Sequence, residues 1–85
     1  MMGYFMVTVH RAYGFRFVIF SNDHGRAHVH VFGQGGEAKV VLEGAGGIRL
    51  DGAAGISRGD LRRIIQEARR ERARLIAMWK QIHER

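Results

Sequence analysis

The sequence predicts an α+β fold, in which a small antiparallel β-meander of four to five strands is followed by one long C-terminal α-helix. Two observations carry this prediction. Segments rich in β-branched and aromatic residues alternate with glycine-containing turns as far as residue 51. From residue 58 to residue 84, apolar residues instead recur at the spacing of one helix face. We therefore expect a sheet over residues 4–51 and a helix over residues 58–84, within a single domain covering residues 1–85.

The strands and turns follow from local composition. Turns are expected where glycine interrupts the apolar runs, at residues 11–14 and 33–36. Residues 44–55 are glycine-rich but lack the Gly-Lys-Ser/Thr ending of a phosphate loop, so they are interpreted as a flexible linker around a short candidate edge strand. The predicted strands cover residues 5–10, 15–20, 28–32, 37–43 and, at the edge, 48–50.

The predicted helix has a clear start. Ser57 is a good N-cap, and Asp60 follows three residues later, as in a capping box. Arg72 falls within the otherwise apolar stripe, where an arginine most often extends its head to solvent. A helix of this length would measure about 40 Å, roughly twice the length of the strands. Either the helix breaks, or its far end with Trp79 packs on a second copy or another protein.

Composition limits the classes of function. The chain has no cysteine, which excludes disulfides and thiolate metal sites. No run of about 18 apolar residues exists to span a membrane, and we expect a cytoplasmic protein. The net charge is +6, and residues 58–85 carry nine of the Arg and Lys residues against four acids. Such a segment favours a phosphate backbone such as RNA, or an acidic protein partner.

Three histidines, His24, His28 and His30, lie within seven residues and form the main cluster of chemically versatile side chains. On a strand, His28 and His30 project from the same face, and His24 could fold toward them across a turn. Glu37 on the next strand is a possible fourth group. The cluster could transfer protons, bind a metal such as zinc or nickel, or simply hold a turn.

Each use assigns roles to particular residues. In a metal-independent ribonuclease, His28 and His30 would be the proton-transfer pair, with His24 and Glu37 as further catalytic candidates and no cofactor. In the metal-binding alternative, His24, His28 and His30 would be the ligands of a divalent ion. The basic residues that could contact nucleic acid are Arg26, Lys39, Arg62, Arg69 and Arg72.

The order of these motifs resembles that of the small bacterial domain-of-unknown-function family 4160. The resemblance rests on Ser21-Asn22-Asp23-His24, on His28-Val29-His30-Val31, on Gly36-Glu37-Ala38-Lys39, and on Gly55-Ile56-Ser57 before a helix with a late Trp. It covers nearly the whole chain. The family usually has Pro-Pro before its His-Val-His, where this sequence has Arg26 and Ala27.

The resemblance implies a component of a toxin–antitoxin gene pair. Together with the basic helix and the strand histidines, it leads to the hypothesis of a toxin that acts on RNA, held by an acidic antitoxin-like protein. The alternative is a non-catalytic module that binds a metal or docks an acidic partner. In either case a small domain with a long helix is expected to form a homodimer or a hetero-oligomer.

Overall fold

The computed structural model describes residues 3–84 as a five-stranded antiparallel sheet followed by two helices. The strands pair in the order in which they occur in the chain. The predicted α+β class and the meander are confirmed. The strands are β1 (Met6–Ala12), β2 (Phe15–Phe20), β3 (His28–Gly33), β4 (Gly36–Val41) and β5 (Arg49–Ala54), and the helices are α1 (Arg58–Arg70) and α2 (Arg72–His83).

Two of the hairpin loops are tighter than the sequence indicated. Tyr13 and Gly14 connect β1 to β2 with φ angles of 56° and 78°, and Gln34 and Gly35 connect β3 to β4 with φ angles of 52° and 77°. Positive φ at both loop residues is the geometry whose twist matches that of paired strands. The hairpins are where the sequence predicted them, with loops of two residues rather than four.

The glycine-rich segment holds a full strand. β5 extends to Ala54 and pairs with β4, from Val41 opposite Arg49 to Glu37 opposite Ala54. The predicted edge strand is therefore confirmed, but it is longer than expected, and the interpretation of residues 51–54 as flexible linker was wrong. Main-chain pairing with β4 provides hydrogen bonds that do not depend on side chains, so a segment of low β-propensity still forms an edge strand.

The hydrophobic core lies between the helices and one face of the sheet. Phe17, Val29, Val31 and Val40 have no exposed surface, and the helices cover them with residues that include Ile64. Burying each such side chain stabilises the fold by about 1.5–3 kcal/mol. Because side chains alternate along a strand, residues between these positions, including the strand histidines, belong to the other face.

A β-bulge in β1 changes this alternation. The register with β2 shifts between Thr8 and His10, and Val9 joins the core. The ring of His10 lies 5.3 Å from that of the core residue Phe17. A bulge lets two consecutive residues lie on the same side of the sheet. His10 is thereby brought to the helix-facing side.

The C-terminal segment forms two helices, so the prediction of one long helix was wrong. The N-cap is confirmed, since the Ser57 hydroxyl accepts a hydrogen bond from the Asp60 amide at 3.1 Å. The break falls at Glu71, with φ −100° and ψ 10°. Its amide still donates to the Glu67 carbonyl at 3.0 Å, so the chain bends without losing that bond. Trp79 is 7% exposed and packs in the core, as expected if the helix breaks.

Two arginines tie the bend to the sheet. Arg72 donates from Nε to the Leu42 carbonyl at 2.7 Å, and Arg74 donates from Nη1 to the Val9 carbonyl at 3.0 Å. Arg72 is exposed on the surface, with its head group engaged by backbone. Across the described residues, neither helix has the length and apolar character needed to cross a bilayer.

Candidate functional site

Asp23, His28 and His30 form a compact group, which we call the Asp23 cluster. Oδ2 of Asp23 lies 3.2 Å from Nε2 of His28 and 3.3 Å from Nε2 of His30. All three ligand-type atoms lie within 4.8 Å of one another. The His28 and His30 side chains extend from alternate positions of β3, and Asp23 comes from the loop that precedes this strand. The group therefore brings two imidazole nitrogens and a carboxylate oxygen to one point.

These short contacts do not have hydrogen-bond geometry. Among residues 3–84, Asp23 Oδ2 and His30 Nε2 are buried atoms without a hydrogen-bond partner. Most buried polar atoms in proteins have a partner, so a pair of unpartnered atoms facing each other needs an explanation. A cation bound by both atoms is an explanation that gives each of them a partner.

The local backbone shows which ring nitrogen of His28 carries a hydrogen. Its Nδ1 lies 2.8 Å from the Arg26 carbonyl oxygen, which can only accept a hydrogen bond. Nδ1 therefore carries the hydrogen, and in the neutral ring Nε2 presents a lone pair toward Asp23. A histidine oriented by a backbone carbonyl in this way is typical of metal ligands.

The surroundings of His30 favour its neutral form. Burial lowers the pKa of His30 below its ordinary value, and the opposing attraction of Asp23 does not reverse that direction. The ring packs edge to face against Phe20, with centroids 4.8 Å apart. A neutral imidazole can offer its nitrogen to a metal without first losing a proton.

Aromatic rings from α2 close one side of the cluster. The ring centroids of Trp79 and His28 are 4.8 Å apart, and His83 stacks on the indole at 3.9 Å. His83 Nδ1 lies 2.9 Å from the Trp79 carbonyl and is one helical turn further on. The indole shields His28, whose side chain is 6% exposed, from solvent.

Of the histidine and acidic candidates predicted from sequence, the structure brings His28 and His30 together and leaves His24 and Glu37 outside the cluster. His24 is exposed and does not belong to the group, in which Asp23 takes the place expected for it. The Asp23 amide bonds to the Phe20 carbonyl at 3.1 Å, in a turn that brings Asp23 rather than its neighbour to the strand histidines. Glu37 is exposed and pairs with Phe32 on β3, which is two residues further along that strand than His30. Glu37 is therefore not the residue opposite His30.

The five predicted nucleic-acid contacts fall in four places. Lys39 is paired with His30 across the strands and forms an ion pair with Asp51 at 3.5 Å. The Arg26 head group lies against Gly44, where an added Cβ would be 2.7 Å from Nη1. Arg72 is bonded to the Leu42 carbonyl. The remaining two, Arg62 and Arg69, line a groove on α1. The structure thus does not join the five into one surface.

A second histidine–carboxylate group lies between β1 and the helices, and we call it the Glu67 cluster. It consists of Glu67, His10, Arg70 and Arg74. His10 Nε2 lies 2.5 Å from Glu67 Oε2, and Arg70 donates to the same carboxylate at 2.6 Å. Arg74 donates from Nη2 to His10 Nδ1 at 2.6 Å. Both nitrogens of His10 are therefore bonded, one as donor and one as acceptor.

Charge in the Glu67 cluster is balanced by contact. The hydrogen bonds from Arg70 and His10 hold the pKa of Glu67 below its ordinary value, although burial opposes them. Arg74 likewise lowers the pKa of Glu71 by a hydrogen bond to its carboxylate at 2.7 Å. Every group has partners of complementary charge, so this arrangement serves to join β1 to α1.

Sequence reasoning missed Asp23 as a site residue and His10 as a partner of Glu67. A signal for Asp23 was present, because an acidic residue precedes His24 in the motif shared with the family. The signal for His10 was weak, because a bulge has no fixed sequence pattern and strict alternation places His10 on the opposite side from Val9. Trp79 was expected in the core or at an interface, and its contact with His28 depends on the bend at Glu71.

Comparison with known proteins gives the family. Searches of the curated proteins and of the solved structures found no match. A protein-family model, described as a domain of unknown function (DUF4160), matches residues 14–80. The matched residues include Asp23, His28 and His30, which form the Asp23 cluster, and the neighbouring rings of Phe20 and Trp79. The chain therefore belongs to the DUF4160 family, as the order of its sequence motifs indicated.

Proposed function

We propose that this domain binds one divalent transition-metal ion through Asp23, His28 and His30. The observation that carries the proposal is the convergence of three ligand atoms, two of them buried without a hydrogen-bond partner. Zinc bound tetrahedrally at about 2.0–2.1 Å separates its ligand atoms by about 3.3 Å. The 3.2 and 3.3 Å contacts of Asp23 Oδ2 match that separation.

The geometry supports a metal site better than a proton-transfer pair. Both Nε2 atoms face the same carboxylate oxygen, so neither is directed at a substrate outside the cluster. A general acid or base must come within hydrogen-bond distance of the group that it protonates or deprotonates. His28 is almost fully buried, with a side chain 6% exposed. A ligand role requires no such access.

Three protein ligands leave a coordination position open. Sites with three protein ligands and one free position are typical of catalytic zinc, where a bound water becomes a nucleophile near neutral pH. The ligand set of two histidines and one carboxylate also suits Fe(II) and nickel. The proposal is therefore the class of divalent transition metals, and zinc is the first ion to test.

The test is metal uptake by chelator-treated protein, measured by calorimetry and by metal analysis after gel filtration. We expect one equivalent of zinc in the wild type and in His24→Ala, since His24 lies outside the cluster. Asp23→Asn and His30→Ala should lose stoichiometric uptake. The proposal fails if zinc, nickel, cobalt, manganese and ferrous iron all remain unbound, or if His24→Ala loses as much binding as His30→Ala.

A second proposal keeps the hypothesis that the domain is an RNA-directed toxin acting in the cytoplasm. It is supported by the aromatic face of the sheet, where the ring of His30 packs against those of Phe20 and Phe32, with centroids 4.8 and 6.3 Å away. Arg16 lies over the Phe32 ring, with Cζ 5.8 Å from the centroid. Partly exposed rings beside cations are how sheet surfaces stack the bases of single-stranded RNA.

Growth after induced expression tests the toxin. Wild-type protein should arrest growth, and the His28→Ala, His30→Ala double variant at equal soluble level should not. Phe32→Ala, which leaves the Asp23 cluster intact, should relieve arrest if RNA binds this face, and should weaken binding of a single-stranded RNA oligonucleotide in vitro. Equal growth of wild type and double variant would remove the toxin proposal and leave the metal proposal standing.

A further inference from the structure

A groove along α1 is separate from both the proposed metal site and the aromatic face of the sheet. It is a shallow depression of about 640 Å³ that is wide open to solvent, and all of its lining residues belong to α1: Arg58, Leu61, Arg62, Ile65, Gln66 and Arg69. We propose that this groove binds an acidic amphipathic segment of a protein partner, with an apolar anchor on its floor and carboxylates on the arginines.

The arginines of the groove are available for an external partner. In the part of the chain that the structure describes, no carboxylate lies within ion-pair distance of Arg58, Arg62 or Arg69. The acids of α1 are engaged elsewhere: Asp60 pairs with Arg63 at 3.1 Å, and Glu67 belongs to the Glu67 cluster. The groove therefore presents positive charge that the domain itself does not neutralise. Guanidinium groups bind carboxylates with paired hydrogen bonds, which favours an acidic ligand.

The residues on the floor of the groove favour a protein over a nucleic acid as its ligand. The side chains of Leu61 and Ile65 are half-buried and pack against the hydrophobic core. They give the groove an aliphatic strip, and none of its lining residues is aromatic. Bases bind to protein surfaces by stacking on aromatic rings, whereas an amphipathic helix inserts leucine-like anchors into an aliphatic strip. An acidic peptide satisfies both the strip and the arginines.

The groove is separate from the Asp23 cluster, because none of its lining residues belongs to that cluster. Partner binding can therefore be tested independently of metal uptake. The probe is a designed helical peptide with a leucine stripe flanked by glutamates. Two comparison ligands accompany it, the same composition in scrambled order and a single-stranded RNA oligonucleotide. Binding to the full chain is measured by fluorescence anisotropy at two salt concentrations.

The variants separate groove contacts from total charge. Arg62→Glu with Arg69→Glu should weaken peptide binding by about tenfold or more, corresponding to about 1.4 kcal/mol. Arg11→Glu with Lys80→Glu makes the same change in net charge at exposed positions outside the groove, and should leave binding within about twofold at the higher salt concentration. Leu61→Ser tests the floor and should weaken binding without changing charge.

Three results would overturn the inference. The first is equal loss in both double variants, which would mean attraction to net charge only. The second is equal affinity for the scrambled peptide, which would remove the role of the aliphatic strip. The third is tighter binding of the RNA, lost in Arg62→Glu with Arg69→Glu, which would make the groove a phosphate site. The circular dichroism spectrum and the thermal unfolding of each variant show whether it is folded.

Discussion

The two histidine–carboxylate clusters differ in whether their polar atoms have partners. In the Glu67 cluster, both nitrogens of His10 and both oxygens of Glu67 are hydrogen-bonded. In the Asp23 cluster, one carboxylate oxygen and the facing nitrogen of His30 have no hydrogen-bond partner among residues 3–84. The first group is complete without a ligand and stabilises the fold. The second lacks such partners, and under the proposed function a cation would supply them.

The largest effect should come from adding metal. Zinc at about 100 times its Kd should stabilise the folded state by about 2.7 kcal/mol. In a domain of this size, that corresponds to a rise in Tm of about 10–20 °C. Thermal unfolding in zinc and in chelator measures the difference. Glu67→Gln should show the same rise from a lower starting Tm, whereas a rise that persists in His30→Ala would contradict the comparison.

Glu67→Gln should cost about 2 kcal/mol of the free energy of unfolding, because a buried carboxylate that accepts charge-assisted bonds becomes neutral. Urea unfolding in the presence of chelator measures the loss. Glu84→Gln removes an exposed carboxylate and serves as the control, with an expected change below about 0.5 kcal/mol. A loss in Glu67→Gln no larger than in this control would mean that the network adds little to stability.

Lowering the pH should also reduce the stability that the Glu67 cluster contributes. The Arg70 guanidinium holds the pKa of Glu67 below its ordinary value of 4.5. Between these two values the unfolded chain binds more protons than the folded one, so stability from Glu67 is complete above pH 4.5 and is lost as pH falls toward the lower pKa. Urea midpoints measured across this range should fall less steeply in Glu67→Gln than in the wild type. Parallel slopes would show that Glu67 is not held ionised by its partners.

The smallest effect is expected at the Asp23 cluster without metal. Asp23→Asn removes a carboxylate whose Oδ2 has no hydrogen bond to lose, so the free energy of unfolding in chelator should change by less than about 0.5 kcal/mol. The same urea experiment gives the value. A loss as large as that of Glu67→Gln would identify Asp23 as the ion-pair partner of a protonated histidine, and would weaken the metal proposal.

The sheet could be predicted from sequence because its determinants are local. β-Branched and aromatic runs mark β1 to β4, and glycine at position 14 or 35 allows the tight loops between them. β5 was predicted as only three residues because its extent depends on pairing with β4, which is a tertiary contact. The Ser57 cap could be predicted because it needs only the amide of Asp60, three residues away.

The bend and the site required information from distant parts of the chain. No Gly or Pro marks Glu71, and the contacts at the bend reach Leu42 and Val9. The strand histidines were predicted as a pair from alternation alone. Their carboxylate partner was not, because a loop residue can be placed only when the turn that holds it is known. Both failures concern contacts that local propensity does not specify.

The strand order also has a consequence for synthesis on the ribosome. Each strand pairs with its neighbour in sequence, so hairpins can form as soon as successive segments emerge. The apolar face of that sheet is covered by residues such as Ile64, Leu75 and Trp79, which are translated after all five strands. Until then the nascent sheet exposes a hydrophobic surface, the kind of surface on which chaperones act. The same late arrival of Trp79 means that His28 is shielded only after translation has passed α2.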